Sequence, residues 1–447
     1  MNMSLHSRRV GNNIYEVSDG KNILFYAPFK NLVVRGWKVA RIIQRFLIRL
    51  IPDNYNIPRN VLRPTVLELD MSHACSLNCI YCSVNSNEED RKLRMTFDLA
   101  KIAIDYVMNV SKEENDPFAI VFIGKGEPTL NWEILVKCVE YIKIQKQKIG
   151  VNGKTIIVTN GIVSAEKARW LAKNIDHIAL SWDGSPKIQN LQRPLINKGD
   201  SYDIVERTAS IFRDERAYFE IRTTWTNINV DKMVEFTRMF VTYHPFELNY
   251  QPLLEVGRAT ESNLSKPIVE SFAENFIESK IIANEAGIDV IMPQVETKRL
   301  NRKFCHAYEG TGLHLTAEGN ITACECVFSE NDGIAGKYLV YGRVRDGKIE
   351  IDSEKISFLR GIRVDNIPSC RRCFARWHCA GGCLNTHFQF SENPLAERTH
   401  RECEITKQIV WKILGRLIAS NFEKGGDKHA AKDPVMDRSR SYRTSKR

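Results

Sequence analysis

Neither a secretory segment nor a membrane span is evident in this 447-residue chain. Met1–Gly20 lacks an apolar h-region, and no window of spanning length is free of charges. The expectation is a cytoplasmic protein without an integral membrane segment. Also missing is a positive surplus in the body of the chain. Net charge is +10, yet residues 1–60 hold ten Lys or Arg against three Asp or Glu, and residues 424–447 hold eight against three. The stretch between is close to neutral. That argues against a nucleic-acid partner, because such binding draws on basic faces of the folded body. What the chain has in quantity is cysteine, twelve in all. A reducing compartment disfavours disulfides, so closely spaced cysteines read as ligands of a metal or cluster. The 43% hydrophobic content is ample for a core spread over two or three units.

The order of elements predicts an α/β protein. Strands are expected at Thr65–Leu69, Ala119–Ile123, Thr155–Thr159, His177–Trp182, Phe219–Thr223 and Phe246–Leu253, with helices between them. The strands are short and apolar, as parallel strands buried on both faces are. Six repeats suit an open, partial (β/α)6 barrel. Before it, residues 1–60 form a small segment with one strand, Asn22–Tyr26, and a basic amphipathic helix over residues 36–51. Arg35, Lys38, Arg41, Arg45 and Arg49 share one face of that helix. The face is solvated, attracts an acidic peptide, or meets a membrane surface. The organisation read is therefore 1–60, a barrel over 61–300, a cysteine-rich unit over 301–408, the end of a last helix at 409–423, and a basic disordered tail at 424–447.

The strongest local signal is Cys75-x3-Cys79-x2-Cys82, directly after the first strand. Three thiolates in eight residues can wrap one corner of a cubane cluster and leave one iron open for a small molecule. A zinc site would close with a fourth ligand, for which His73 is the nearest choice. Gly126-Glu127-Pro128, Thr159-Asn160-Gly161 and Ser181-Trp182-Asp183-Gly184 follow at the ends of strands two, three and four. Parallel-sheet enzymes bind ligands at such ends.

This set resembles the radical S-adenosylmethionine superfamily, with Tyr81 as the aromatic residue before the last cysteine. The resemblance implies a [4Fe–4S] cluster on Cys75, Cys79 and Cys82, whose open iron chelates S-adenosylmethionine. It implies that Gly126 and Glu127 hold the methionine ammonium and that Asn160 belongs to the same shell. Ser181 is expected at the carboxylate or ribose, and Arg207, or else Arg222, at the carboxylate. Asp183 is either an acid–base group near the substrate or a turn former. Lys125 stands where the family more often has glycine.

Cys305, Cys324, Cys370, Cys373, Cys379, Cys383 and Cys403 form a second pattern. It resembles the SPASM extension of radical enzymes that act on peptides. The resemblance implies two auxiliary [4Fe–4S] clusters, the nearer on Cys305, Cys324 and Cys383, the farther on Cys370, Cys373, Cys379 and Cys403. Cys326 either completes the nearer cluster or leaves it an open site. Cys138, on the apolar face of a helix, reads as a small hydrophobe.

Together these resemblances imply an oxidoreductase that matures a ribosomally made precursor peptide or protein by installing a thioether or carbon–carbon crosslink. A flavodoxin- or ferredoxin-like donor would supply electrons. Sixty residues are too few for a complete winged-helix leader-binding module; the basic helix either covers the barrel or binds the leader, which otherwise falls to the SPASM-like region or a separate leader-binding protein. The alternatives are a formylglycine-generating sulfatase maturase, a maturase of a peptide-derived redox cofactor, and a non-enzymatic iron–sulfur scaffold.

Overall fold

The computed structural model describes residues 5–11, 14–19, 23–28, 32–35, 62–84, 90–295, 300–301, 304–305, 308, 312–388, 391–397 and 401–423. The expected basic helix over residues 36–51 and the tail after residue 423 lie outside the described residues.

The chain opens on an antiparallel meander of four strands, β1 (His6–Gly11), β2 (Ile14–Ser18), β3 (Ile23–Ala27) and β4 (Leu32–Arg35). One strand was expected here. The sheet is not a separate body. Tyr15 and Tyr26 are fully buried, and Tyr26 Oη lies 2.7 Å from His378 Nε2, so the meander packs on the distant cysteine-bearing segment.

Six parallel strands then run in sequence order: β5 (Val66–Asp70), β6 (Phe118–Ile123), β7 (Gly153–Thr159), β8 (His177–Ser181), β9 (Phe219–Trp225) and β10 (Glu247–Pro252). Helices α1 (Phe97–Glu114), α2 (Trp132–Ile149), α3 (Ala165–Asn174), α4 (Pro186–Gln192), α5 (Tyr202–Asp214) and α6 (Met233–Val241) connect them. Local chemistry sets their ends. Thr96 Oγ1 accepts from Leu99 N to start α1, Ser164 Oγ from Lys167 N to start α3, and Gly150, at φ +74°, stops α2. Helix α7 (Val269–Glu285) leads to a short parallel strand, β11 (Asp289–Ile291), beside β10.

Strands β9 and β10 are apolar on one face only, whereas β6 is apolar on both, as expected of a buried parallel strand. Leu67, Leu69, Ile120, Phe122, Leu180, Ile221 and Leu248 are fully buried in the core. Alternation puts Glu220, Arg222 and Thr224 of β9, and Glu247, Asn249 and Gln251 of β10, on the other face, toward the inside of the curved sheet.

The cysteine-rich region carries more regular structure than its sequence suggests. Strand β12 (Gly312–Leu315) pairs in parallel with β5 at the opposite edge from β11. Antiparallel β13 (Asn320–Thr322), β14 (Val340–Arg345) and β15 (Lys348–Ile351) extend the sheet to eleven strands. Helices α8 (Gly333–Leu339), α9 (Ser353–Gly361), α10 (Arg376–Cys379), α11 (Leu384–Phe388) and α12 (Arg401–Glu423) complete it. Among the described residues, no helix is long and apolar enough to cross a membrane.

Candidate functional site

The three-cysteine loop leaves the C-terminal end of β5 and is pinned on two sides. The segment after α4 holds its outer side: Asn78 N donates to Pro194 O at 2.8 Å, Ile80 N to Gln192 O at 3.0 Å, and Ile196 N to Ser76 O at 3.0 Å. The loop after β6 holds the inner side, with Gly126 N donating to Ser72 O at 2.8 Å and Glu127 N to Ala74 O at 2.7 Å. Glycine is obligatory at 126, because a Cβ there would stand 2.0 Å from Ala74 O. Asn160 Nδ2 reaches Cys75 Sγ at 3.5 Å and Ser76 Oγ at 3.1 Å.

Glu127 is buried. Its Oε1 accepts from Thr129 N, Thr129 Oγ1 and Thr159 Oγ1, and its Oε2 from Asn160 N at 2.7 Å. Burial raises its pKa, and these four donors oppose the rise. With one protein donor, Oε2 keeps acceptor capacity for a cation.

These groups surround a cavity of about 290 Å³. Cys75, Cys79, Cys82, Tyr81, Gly126, Glu127, Asn160 and Ser181 line it, as the sequence led one to expect. Burial pushes the Cys75 thiol up to about 11 and the Cys79 thiol up to about 12, so both carry protons in the metal-free chain, and iron binding must release them. His73, the alternative fourth ligand for zinc, directs Nε2 to Asp70 Oδ2 at 2.6 Å.

Three expected residues are not on the cavity wall. Asp183 is fully buried and accepts from Tyr81 Oη at 2.6 Å, Gln192 Nε2 at 2.8 Å and Thr224 N at 3.2 Å. It ties Tyr81, the end of α4 and β9 together beneath the cavity. Arg207 donates to Val163 O at 2.5 Å, on the helix side of the sheet. Arg222 shares a face with the cavity residue Thr224 but lies two residues deeper, beside Glu220, whose pKa His177 and Arg222 lower against the opposing effect of burial.

Arg193, which no sequence motif singled out, is on the cavity wall. Its Nε lies 3.2 Å from Asp183 Oδ2, and its guanidinium sits 5.4 Å from the centre of the Tyr81 ring. It follows α4, whose Ser185-Pro186 start was the available signal: Pro at the first helical position after a Ser. Lys125, the residue that departs from the family's glycine, also lines the cavity, with Arg91 and Arg258, which no motif announced.

The later cysteines fall into two sets. A hydrogen bond to Cys326, burial and the nearby Cys383 raise the Cys324 thiol, and Cys383 is raised by burial with Cys326 adding to it. Cys379 feels Cys403, Cys373 and Cys370. Cys326 thus lies beside Cys324 and close to Cys383. Cys305 is half-buried against the core. Cys138 is fully buried in α2, where burial pushes its thiol up to about 12.

Comparison with known proteins places this geometry. Residues 69–234 match the model of the Radical SAM superfamily. A cysteine-type anaerobic sulfatase-maturating enzyme of Clostridium perfringens is 26% identical over 373 residues, covering 78% of this chain and 95% of the relative. The structure of native anSMEcpe with bound AdoMet and a peptide superposes with a TM-score of 0.61 at 20% identity, covering 80% of this chain and 99% of that one. SuiB of Streptococcus suis bound to its precursor peptide SuiA superposes with a TM-score of 0.54 at 14% identity, covering 86% and 96%. The two structural likenesses carry the fold.

Proposed function

We propose that this chain, whose residues 69–234 match the Radical SAM superfamily, is a radical S-adenosylmethionine maturase. It abstracts hydrogen from a ribosomally made peptide and installs a thioether or carbon–carbon crosslink. The observation that carries the reading is the gathering of Cys75, Cys79 and Cys82 with Glu127, Asn160 and Ser181 around one cavity at the C-terminal strand ends.

The donor set suits the cofactors. Three thiols from one loop, with His73 turned to Asp70, fit a [4Fe–4S] cluster that keeps one iron for a ligand. When bound and reduced by one electron, the cluster and S-adenosylmethionine supply a 5'-deoxyadenosyl radical. The chain's own groups bind and orient. Glu127 Oε2 accepts from the methionine ammonium, and the bare Gly126 lets the cysteine loop pack against the segment that carries Glu127. Ser181 offers a hydroxyl to the carboxylate or ribose. Arg193 places a cation on the same wall and takes the task assigned from sequence to Arg207 or Arg222. The Cys305, Cys324, Cys326 and Cys383 set and the Cys370, Cys373, Cys379 and Cys403 set fit two auxiliary clusters of a SPASM-type region. A precursor peptide and a low-potential electron carrier are the partners this reading requires.

Formylglycine formation on a sulfatase is the second reading, favoured by the relative that this chain matches over 95% of its length. Anaerobically reconstituted enzyme is given S-adenosylmethionine, a reductant, and either a peptide encoded beside its gene or a sulfatase-derived peptide. The crosslink reading expects 5'-deoxyadenosine together with a peptide that has lost hydrogen and resists hydrazide reagents. A hydrazide-reactive aldehyde on the sulfatase peptide supports the second reading. Formation of 5'-deoxyadenosine with no change in either peptide would count against both.

A further inference from the structure

We propose that Asp70 is a positioning residue that sets the first cysteine loop in register with the turn leading to Cys324 and Cys326. Asp70 ends β5 and is fully buried. Its carboxylate takes donors from three segments. Oδ1 accepts from Lys125 N at 3.0 Å, while Oδ2 accepts from Ala317 N at 3.2 Å and from His73 Nε2 at 2.6 Å. Lys125 belongs to the loop that pins Ser72 and Ala74. His73 enters the cysteine loop two residues before Cys75. Ala317 lies in the turn between β12 and β13, where Gly319, at φ +89°, lets its own N–H reach Thr316 O. Two residues past β13 comes Cys324.

A carboxylate is the group this junction needs. It is acceptor-only when ionised, so both oxygens can serve converging N–H groups. An amide would offer one oxygen and set its own NH2 against a donor. Two of the donors are backbone amides, so neither can turn away without moving its loop.

Phe328, two residues after Cys326, closes the same junction from the C-terminal side. Its ring meets the His73 ring edge-on at 5.5 Å and the His314 ring at 5.9 Å, and the Lys125 ammonium stands 5.2 Å from its centre. One buried cluster therefore joins the loop that lines the catalytic cavity to the loop that carries the nearer auxiliary set. A displacement of either is felt by the other through packed, directional contacts.

The test uses full-length, anaerobically reconstituted enzyme. Asp70→Asn and Phe328→Leu are compared with Thr237→Val, which removes a buried hydrogen bond to Tyr250 outside this junction. In Asp70→Asn, amides of residues 124–126 and 316–320 are expected to exchange about tenfold faster at unchanged iron content. In Phe328→Leu, amides of residues 72–76, across the junction from the altered ring, should exchange about threefold faster. Thr237→Val should leave both segments as in the parent. Unchanged exchange at 316–320 in Asp70→Asn, or acceleration in Phe328→Leu confined to the neighbourhood of residue 328, overturns the proposal. If Asp70→Asn does not fold, Phe328→Leu decides alone. A second readout rests on the functional reading above: the change that S-adenosylmethionine causes in the electron paramagnetic resonance of the reduced first cluster should be altered in Asp70→Asn. If exchange responds while the variant's resonance change equals the parent's, the junction is structural only and the positioning role of Asp70 fails; a parent enzyme whose resonance S-adenosylmethionine leaves unchanged would instead count against the assignment of Cys75, Cys79 and Cys82 to the S-adenosylmethionine-binding cluster.

Discussion

The parallel strands and the cysteine-rich region solve the same problem, placing thiols, by different means. Cys75, Cys79 and Cys82 sit on one loop whose backbone is hydrogen-bonded on both sides to Ser72–Ala74 partners and to residues 192–196. The chain's own backbone thus fixes that loop on two sides. The later thiols come from separate segments: Cys324 and Cys326 follow β13, Cys370 and Cys373 lie in a single 3-10 turn and its cap, Cys379 ends α10, and Cys403 is in the first turn of α12. Bringing them together closes chain loops, and a shared ligand centre would stabilise that closure. Iron should therefore matter to chemistry in the first region and to folding as well in the second.

The sharpest break of that contrast is the triple substitution of Cys75, Cys79 and Cys82 by Ala. Formation of 5'-deoxyadenosine should vanish, iron should fall from about twelve to about eight per chain, and the unfolding midpoint should barely move. Retained cleavage of S-adenosylmethionine would remove the first site from the mechanism. Next in size is Cys379→Ala, which takes one thiol from a four-cysteine set. Iron loss there should come with faster proteolysis between residues 364 and 388, and a protease-resistant variant would show that the second region is as preorganised as the first. Gly126→Ala drives a methyl into Ala74 O and should cost about 2–4 kcal/mol in urea unfolding of the metal-free chain, a typical overpacking penalty or slightly more. Smaller still is Tyr81→Phe, which leaves the buried Asp183 one donor short. A loss of about 1–3 kcal/mol is expected, together with weaker S-adenosylmethionine binding read by equilibrium dialysis. The smallest effect is on pH. The Cys75 and Cys79 thiols are raised by burial, so their reactive thiolates become commoner with alkalinity; stopped-flow iron–sulfide incorporation at the first site should quicken from about pH 7 to about pH 9. A rate flat in pH would mean that deprotonation is not limiting.

The two regions also differed in how far their sequences could be read. Six strands and most of their helices were legible because their apolar runs and breaks are local. The polar inner face of β9 and β10 was not, since a lumen filled by Glu220, Arg222 and Asn249 leaves only a faint alternation. Residue type found Cys75, Glu127, Asn160 and Ser181, whose place follows directly from strand ends. It could not place Asp183, Arg207 and Arg222, where one step of register or one helix face decides between the cavity wall and its surroundings. Arg193 was hidden because α4 is only seven residues long. Strand β12 was hidden for another reason: its partner is β5, and the accompanying Asp70–Ala317 contact spans 247 residues. No short window contains both halves of such a pairing. The N-terminal meander suffers the same way, with Tyr26 meeting His378 across 352 residues.

That parallel pairing of β12 with β5 has a consequence during synthesis. β5 emerges early and acquires β6 on one side, but its other edge has no partner until Gly312–Leu315 leaves the ribosome. At about 5–20 residues per second the wait is on the order of tens of seconds. Over that time an apolar strand, Val66-Leu67-Glu68-Leu69-Asp70, presents unpaired backbone groups, the template on which nascent chains aggregate. The two acidic residues in it are then of use before any cofactor binds: uncompensated charges on a growing sheet edge keep a second copy from adding to it. The same Asp70 that later joins three loops would first act as a guard, and yields of soluble full-length protein should be more sensitive to its charge than its share of the final contacts suggests.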